Sequence, residues 1–330
     1  MLEIKDIAIV ILNWNGKALL EQFLPSVIQH SQNAKIYVAD NASTDDSVAF
    51  VSEHFPIVKI IQNSENGGYA KGYNDALKQI EEPLLCLLNS DIEVTENWLQ
   101  SILDEFNEDV NTAIIQPKIL DFKNKSYFEY AGAAGGFIDK YGYPYCRGRI
   151  FETIEKDEGQ YNDTKDIFWA SGACLFIRND VFKTLNGFDE SYFAHMEEID
   201  LCWRAFNTNY KTKYIGTSTV YHVGGATLSN SNPKKTYLNF RNSLFTLVKN
   251  TDKQVFIRTI IRMSLDGITA LRFLLQLKPN YFLAIFKAHI SFYANLRRVL
   301  QHRKQLSKRS NYQESNSIVW SYFIKKQTKF

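Results

Sequence analysis

Two clusters in this 330-residue chain combine residue types that do chemistry with a defined place beside an apolar run. In LLNSDIEV, residues 87–94, an apolar run delivers Asn89 and Asp91 two positions apart before the chain continues into a second extended piece. Alternate residues of a strand share a face, so both can offer oxygen to one hard divalent cation whose other positions are filled by a diphosphate and water. Asn-Ser-Asp is equally common as a turn that caps a helix. In GFDESYFAHMEEIDLCWRA, residues 187–205, Glu197, Glu198 and Asp200 crowd together. Carboxylates so close repel, which raises at least one pKa unless a cation compensates, and a general base is the use such a group would have. The competing reading is an acidic first turn favoured by the helix dipole, with Arg204 one turn on from Asp200 as its partner.

Two further features are weaker alone. NGGYAKGYNDALK, residues 66–78, joins three glycines and Lys71 to a helix start, where backbone and a lysine can approach phosphate. It is neither a dinucleotide fingerprint nor a phosphate-binding P-loop. His222 ends the β-branched run 217–223, and His195 lies just before the carboxylates; sequence alone does not rank the two.

The elements that must position these groups read as α/β. Residues 6–13 and 35–40 are strand-like runs ending at Asn13 and Asp40, 17–30 has helical spacing, and 84–88 is a third apolar run after a helix at 69–80. Repeated strand–helix units build a parallel sheet, and ligands bind beyond its carboxyl ends, where Asn13, Asp40, Asn89 and Asp91 fall. Residues 121–165 lack periodicity and read as loops over the site; 168–177 reads as a strand and 197–207 as a helix. The composition, 45% hydrophobic and 22% charged, is that of a globular chain. The net +2 hides an asymmetry: from Thr227 on, eleven Lys and eight Arg face Asp252, Asp266 and Glu314, a net of +16 that leaves −14 for the rest. This basic end is helical in pattern, and its charges interrupt every apolar stretch before a membrane span accumulates. Cys86, Cys146, Cys174 and Cys202 have no metal or disulfide spacing, and no export signal opens the chain, so a reducing, cytoplasmic setting is expected.

Taken in order, VILNWNG (10–16), VADNASTDDS (38–47), NGGYAKGYN (66–74), LLNSDIEV, WASGACLFIR (169–178), HMEEIDLCWR (195–204) and VYHVGG (220–225) resemble glycosyltransferase family 2, nearest to the rhamnosyltransferase-like members that build bacterial surface polysaccharides. The resemblance implies a GT-A fold over 1–250: a Rossmann-like nucleotide-sugar half to about 95, then an acceptor half, on one mixed central sheet. Residues 251–330 would be a basic, amphipathic helical tail. It implies nucleotide-sugar contacts from Asn13, Asp40, Asn66, Gly68, Lys71, Asn74 and Asn89, and a Mg²⁺ or Mn²⁺ ion on Asp91 with His222. Asn89 departs from the family's paired acids, so the site loses one charge. The implied reaction is inverting transfer from a nucleotide diphosphate sugar, dTDP-rhamnose or a UDP sugar, to a glycan or lipid-linked acceptor. Glu198 aligns with the family's acidic pair as base, Glu197 is the runner-up, and Asp200 supports the helix or meets the acceptor. The tail would then dock on an anionic inner membrane face, with Phe273, Tyr281, Phe282, Phe286, Phe292 and Tyr293 available to insert; nucleic acid is not expected as a partner. The alternatives are an inactive GT-A nucleotide-sugar-binding module, and a nucleotidyltransferase, for which no Gly-rich triphosphate loop follows the first strand.

Overall fold

A computed structural model describes residues 1–224 and 232–330; Gly225, the last residue of the VYHVGG motif, lies outside them. The chain opens with strand–helix alternation: β1 (Ile7–Asn13), α1 (Lys17–His30), β2 (Lys35–Asp40), α2 (Ser47–His54), β3 (Lys59–Gln62), α3 (Gly68–Leu77) and β4 (Leu84–Asn89). β1 pairs in parallel with β2 and β4, and β2 with β3. Along β1 the side chains alternate between two buried clusters, Ile7, Ile9 and Ile11 on one face and Ala8 and Val10 on the other. A strand buried on both faces is what helices on both sides of a parallel sheet require.

After β4 the chain turns at Ser90 and Asp91 into β5 (Ile92–Val94), so the Asn-Ser-Asp turn joins two strands rather than capping a helix. Then follow α4 (Gln100–Glu108), β6 (Thr112–Asp121), the short strands β7 (Gly136–Ile138), β8 (Pro144–Cys146), β9 (Arg149–Ile150) and β10 (Thr153–Ile154), β11 (Thr164–Ile167), β12 (Cys174–Arg178), α5 (Asn179–Thr184), α6 (Glu197–Asn207) and β13 (Lys211–His222). The large sheet runs β11-β13-β6-β12-β4-β1-β2-β3, with β5 on β13. β12 is antiparallel to both β4 and β6, whereas β6 and β13 are parallel, so the sheet is mixed. The stretch expected to be loops over 121–165 instead contains the antiparallel sheet β10-β9-β8-β7. Strands of two or three residues are too short to show a period, which is why the sequence did not reveal them.

One irregularity aims the end of β13. Its register on β6 jumps between Ile215 and Thr219, a bulge at Gly216, where a Cβ would lie 2.4 Å from the Tyr161 carbonyl oxygen. Beyond the bulge, Tyr221 and His222 pair with Glu93 and Ile92 of β5, which brings His222 to the β4–β5 turn.

The basic end forms α7 (Pro233–Asn250), α8 (Val255–Leu275), α9 (Pro279–Gln305) and α10 (Ile318–Phe323). It packs back on the rest of the chain: Arg262 donates to the Gly142 carbonyl, Tyr312 to that of Lys140, and the Phe330 ring lies 4.9 Å from Phe137. Among the described residues no helix is long and apolar enough to cross a membrane. The aromatic set expected to insert into lipid is mostly withdrawn from the surface. Phe292 is buried, and Phe273 stacks on Tyr281 with ring centroids 5.1 Å apart. Only Phe286 and Tyr293 of that set are exposed, because composition does not reveal which face of a helix a residue occupies.

Candidate active site

Three strand ends carry a network of amides and one carboxylate. The Asp40 side chain accepts from Asn13 Nδ2 at 3.1 Å and from the Ser43 backbone N–H at 2.9 Å. Alongside, Asn41 donates to Asn66 and to the Gly68 carbonyl, while Asn63 donates to Asn41 and to the Gly72 carbonyl. Gly68, φ +79°, starts α3; a Cβ there would sit 2.4 Å from the Phe193 carbonyl oxygen, so only glycine lets these segments meet. Asn13, Asp40, Asn66 and Gly68 therefore come together as expected, joined by Asn41 and Asn63, which pattern alone did not single out. Lys71 and Asn74 do not join them: Lys71 pairs with Asp75 and Glu65, and Asn74 is tied to the Phe188 backbone and to Glu190.

At the β4–β5 turn, Asp91 and His222 meet. His222 Nε2 is 3.2 Å from Asp91 Oδ1 and 3.4 Å from Asn89 Nδ2, while its Nδ1 is 3.4 Å from Glu129 Oε1. All but Asn89 are nearly inaccessible to solvent. Burial works against charge on the imidazole, but Asp91 and Glu129 outweigh it and lift its pKa to about 10. With the imidazolium proton displaced on binding, the donor set fits a divalent cation: a carboxylate, an imidazole nitrogen and an amide whose oxygen and nitrogen exchange on a flip. Among the described residues no three His, Cys, Asp or Glu side chains are placed to hold a metal unaided. Such a cation therefore needs further ligands from elsewhere, which a diphosphate supplies. Glu129 was missed in the sequence because 93 positions separate it from His222 and nothing in EYAGAAGG has ligand spacing.

The second acidic centre lies at the start of α6. Gly172, just ahead of β12, accepts from the Tyr69 hydroxyl at 2.8 Å, and the next residue, Ala173, accepts from the Asn89 N–H, so the two centres are one short segment apart. Tyr69 in turn feels the charges of Glu197 and Glu198. Burial pushes the Glu198 carboxyl up to about 7, against backbone N–H groups of residues 196, 198 and 199 that favour its charge. Glu197 is raised as well, first by burial and then by Glu198. Among the described residues Oε2 of each is buried without a hydrogen-bond partner. Asp200 is different: Arg204 donates to it at 2.9 Å, Asn250 at 2.8 Å, and Lys249 lies 3.0 Å away. Burial opposes its charge, yet Lys249 and Arg204 hold its pKa below the ordinary value. Asp200 is thus a structural anchor for α6 rather than a group free to meet substrate. His195 is also set apart, since burial and Lys235 lower its pKa to about 4.

The loop into α6 is strained. Phe193, His195 and Met196, none of them glycine, have φ of 64°, 71° and 74°. Asn242 of α7, fully buried, holds this loop by donating to the carbonyls of Tyr192, Ala194 and His195 at 3.1, 3.0 and 2.7 Å. Arg241 adds bonds to the Ser191 and Tyr192 carbonyls. Phe193 also accepts from the Tyr69 N–H at 2.8 Å, which couples the loop to α3.

The sequence profile of glycosyl transferase family 2 matches residues 8–185. An N-acetylglucosaminyl-diphospho-decaprenol L-rhamnosyltransferase of Mycobacterium tuberculosis is 25% identical over 219 residues, covering 62% of this chain and 71% of its own. A low-salt glycan biosynthesis hexosyltransferase of Haloferax volcanii is 24% identical over 300 residues, covering 86% and 90%. Among solved structures, a mannosyltransferase of Pyrobaculum calidifontis in complex with GDP-Man and Mn²⁺ superposes with a TM-score of 0.54 at 12% identity over 87% of each chain, a likeness of fold.

Proposed function

Since this chain belongs to glycosyl transferase family 2, and is a GT-A glycosyltransferase with a helical C-terminal extension, we propose that it moves a deoxyhexosyl or hexosyl unit with inversion from a nucleotide diphosphate sugar to a hydroxyl of a glycan or lipid-linked acceptor. The product belongs to cell-surface polysaccharide synthesis. Residues up to about 95 take the donor, 96–250 the acceptor, and 251–330 bring the enzyme to an anionic membrane surface.

The observation that carries this reading is Glu198, a partly exposed residue with a buried, unpartnered carboxylate oxygen and a pKa of about 7. A base needs a pKa near the working pH, and an oxygen without a partner is relieved when an acceptor hydroxyl donates to it. Glu198 takes the hydroxyl proton, the acceptor oxygen forms its bond to the anomeric carbon, and the bond to the diphosphate breaks on the opposite face. Asp40 with the amides of Asn13 and Asn41 is assigned to the nucleoside. Asp91, His222 and Asn89 would hold Mg²⁺ or Mn²⁺, which when bound neutralises charge growing on the diphosphate.

The test is a panel of nucleotide diphosphate sugars with Mn²⁺ and lipid or glycan acceptors, with nucleotide release and the anomeric configuration of the product both measured. Release with an inverted linkage is expected. Donor binding without turnover on any acceptor would leave a binding module instead, and a retained configuration would remove Glu198 from the role of single base.

A further inference from the structure

The helices α8 and α9 expose an apolar surface that the other described residues leave uncovered. On α8, Ile257, Ile260, Ile268, Leu271 and Leu275 fall at helical intervals along one stripe, and on α9 so do Leu283, Phe286, Ile290 and Tyr293. At the turn between the helices Leu275 and Leu277 are 85% and 88% exposed. A groove of about 420 Å³ runs between the stripes, lined by Ile268, Leu271, Phe282, Ile285 and Phe286. Scattered exposed leucines need no explanation, but two in-phase stripes that share one groove form a patch of the kind that marks an interaction surface.

Charge decides what covers it. Between Lys253 and Gln313 the only acid is Asp266, and it is wholly buried against Arg262 and the Tyr143 hydroxyl. Every exposed formal charge on α8, α9 and the turn between them is therefore positive, Arg272, Lys278, Lys287 and Arg297 among them. A second copy of the same surface would bring cation against cation. Nucleic acid would satisfy the charges but leave the leucines in water. A bilayer with anionic headgroups meets both requirements, since leucine and isoleucine side chains enter the acyl boundary while lysine and arginine stay among the headgroups. We propose that the α8–α9 hairpin docks on an anionic lipid bilayer through the Leu271–Leu275–Leu277 end and the Phe286–Ile290 stripe. This rests on the membrane role proposed for residues 251–330, narrows it from the whole basic tail to the hairpin, and names the side chains that enter.

The surface is one helix away from the catalytic loop. Tyr237 of α7 donates to Ser291 of α9 at 3.0 Å, and the next turn of α7 carries Arg241 and Asn242, which hold residues 191–195. Docking the hairpin would therefore fix the height of the base above the lipid surface, which suits an acceptor whose lipid stays in the bilayer.

The full chain is sedimented with vesicles of phosphatidylcholine alone and of phosphatidylcholine with 30% phosphatidylglycerol, a composition chosen at roughly the anionic content that attracts basic segments. Binding is expected to the anionic vesicles only, to weaken with added salt, and to fall about tenfold or more in Leu275→Gln/Leu277→Gln. Those side chains are so exposed that thermal stability and donor binding should not move, which separates lost docking from lost folding. Undiminished binding of that variant to anionic vesicles, or equal binding of the native chain to both compositions, overturns the proposal. So does a dimer in sedimentation velocity that the same two substitutions dissolve. Because the assay reads vesicle binding alone, it can fail while sugar transfer stands, and transfer can fail while docking stands.

Discussion

Asp91 and Glu198 are both carboxylates placed beside the central sheet, and their surroundings are opposite in sign. Asp91 faces an imidazole at 3.2 Å that is itself backed by Glu129. Glu198 is withdrawn from water without a compensating charge, and among the described residues neither it nor Glu197 has a salt-bridge partner. The first arrangement keeps negative charge in place for something positive to bind, and the second makes negative charge expensive and a proton welcome. Two acids thereby acquire two roles from their neighbours rather than from their own chemistry. Asp200, three residues from Glu197, shows the same rule: with Lys249 and Arg204 against it, it stays ionised and does structural work.

The largest effect should come from breaking the proton-accepting side. Glu198→Gln keeps the shape and removes the base, so transfer should fall by about 10²–10⁴-fold while donor affinity is unchanged. Asp91→Ala should instead weaken Mn²⁺-dependent donor binding, measured by calorimetry. If Glu197→Gln were the variant that abolished transfer and Glu198→Gln were not, the base would move to the neighbouring residue. The contrast also has a pH signature. A base with a pKa of about 7 is active only when deprotonated, so kcat/KM should rise about tenfold per pH unit below 7 and level off above it.

A smaller effect is expected from Glu129, which lies against Nδ1 of His222 and so holds a proton on that nitrogen, leaving the Nε2 proton, toward Asp91, as the one a cation would displace. Removing such an outer partner of a ligating histidine costs about 10–100-fold in metal affinity. Glu129→Ala should therefore weaken Mn²⁺ binding, followed by electron paramagnetic resonance, in that range. Glu129→Gln, which still accepts a hydrogen bond, should lose less. Equal Mn²⁺ affinity in all three proteins would mean that Glu129 serves only the fold.

How much of this contrast was legible in the sequence follows the range of the interactions. The strand ends at Asn13, Asp40 and Asn89 were visible because apolar runs of four or more residues announce a buried strand and the polar residue after it announces the edge. Glu197 and Glu198 were visible because their crowding is local. Glu129, Asn41, Asn63 and Asn242 were not, since each acts on a partner supplied by another element and carries no spacing relative to it. Lys71 shows the reverse case: its position in a glycine-rich helix entry suggests phosphate, and its ion-pair partners Glu65 and Asp75 were in plain view as well. The small sheet from 136 to 154 escaped because its strands are shorter than one period can reveal.

The smallest effect concerns stability and runs against activity. Glu198 has an ordinary pKa of 4.5 when unfolded and about 7 when folded, so between these values the folded state holds a proton that the unfolded state has released. The stability this proton confers is complete below pH 4.5 and is lost as pH rises through 7, above which the buried charge is a net penalty. Glutamine never ionises and escapes that penalty. Glu198→Gln should accordingly match the native enzyme in denaturant stability near pH 4.5 and exceed it by about 1–3 kcal/mol at pH 8, with about 1.4 kcal/mol for each tenfold change in proton affinity as the ceiling. Asp200→Asn, which neutralises a charge held by Lys249 and Arg204, should destabilise at pH 8 because it leaves those cations buried without their partner. Opposite signs for the two variants would confirm that this fold stabilises one acid of α6 and strains another. A Glu198→Gln protein no more stable than the native enzyme at pH 8 would place Glu198 in a solvated setting and remove the physical basis for its elevated pKa.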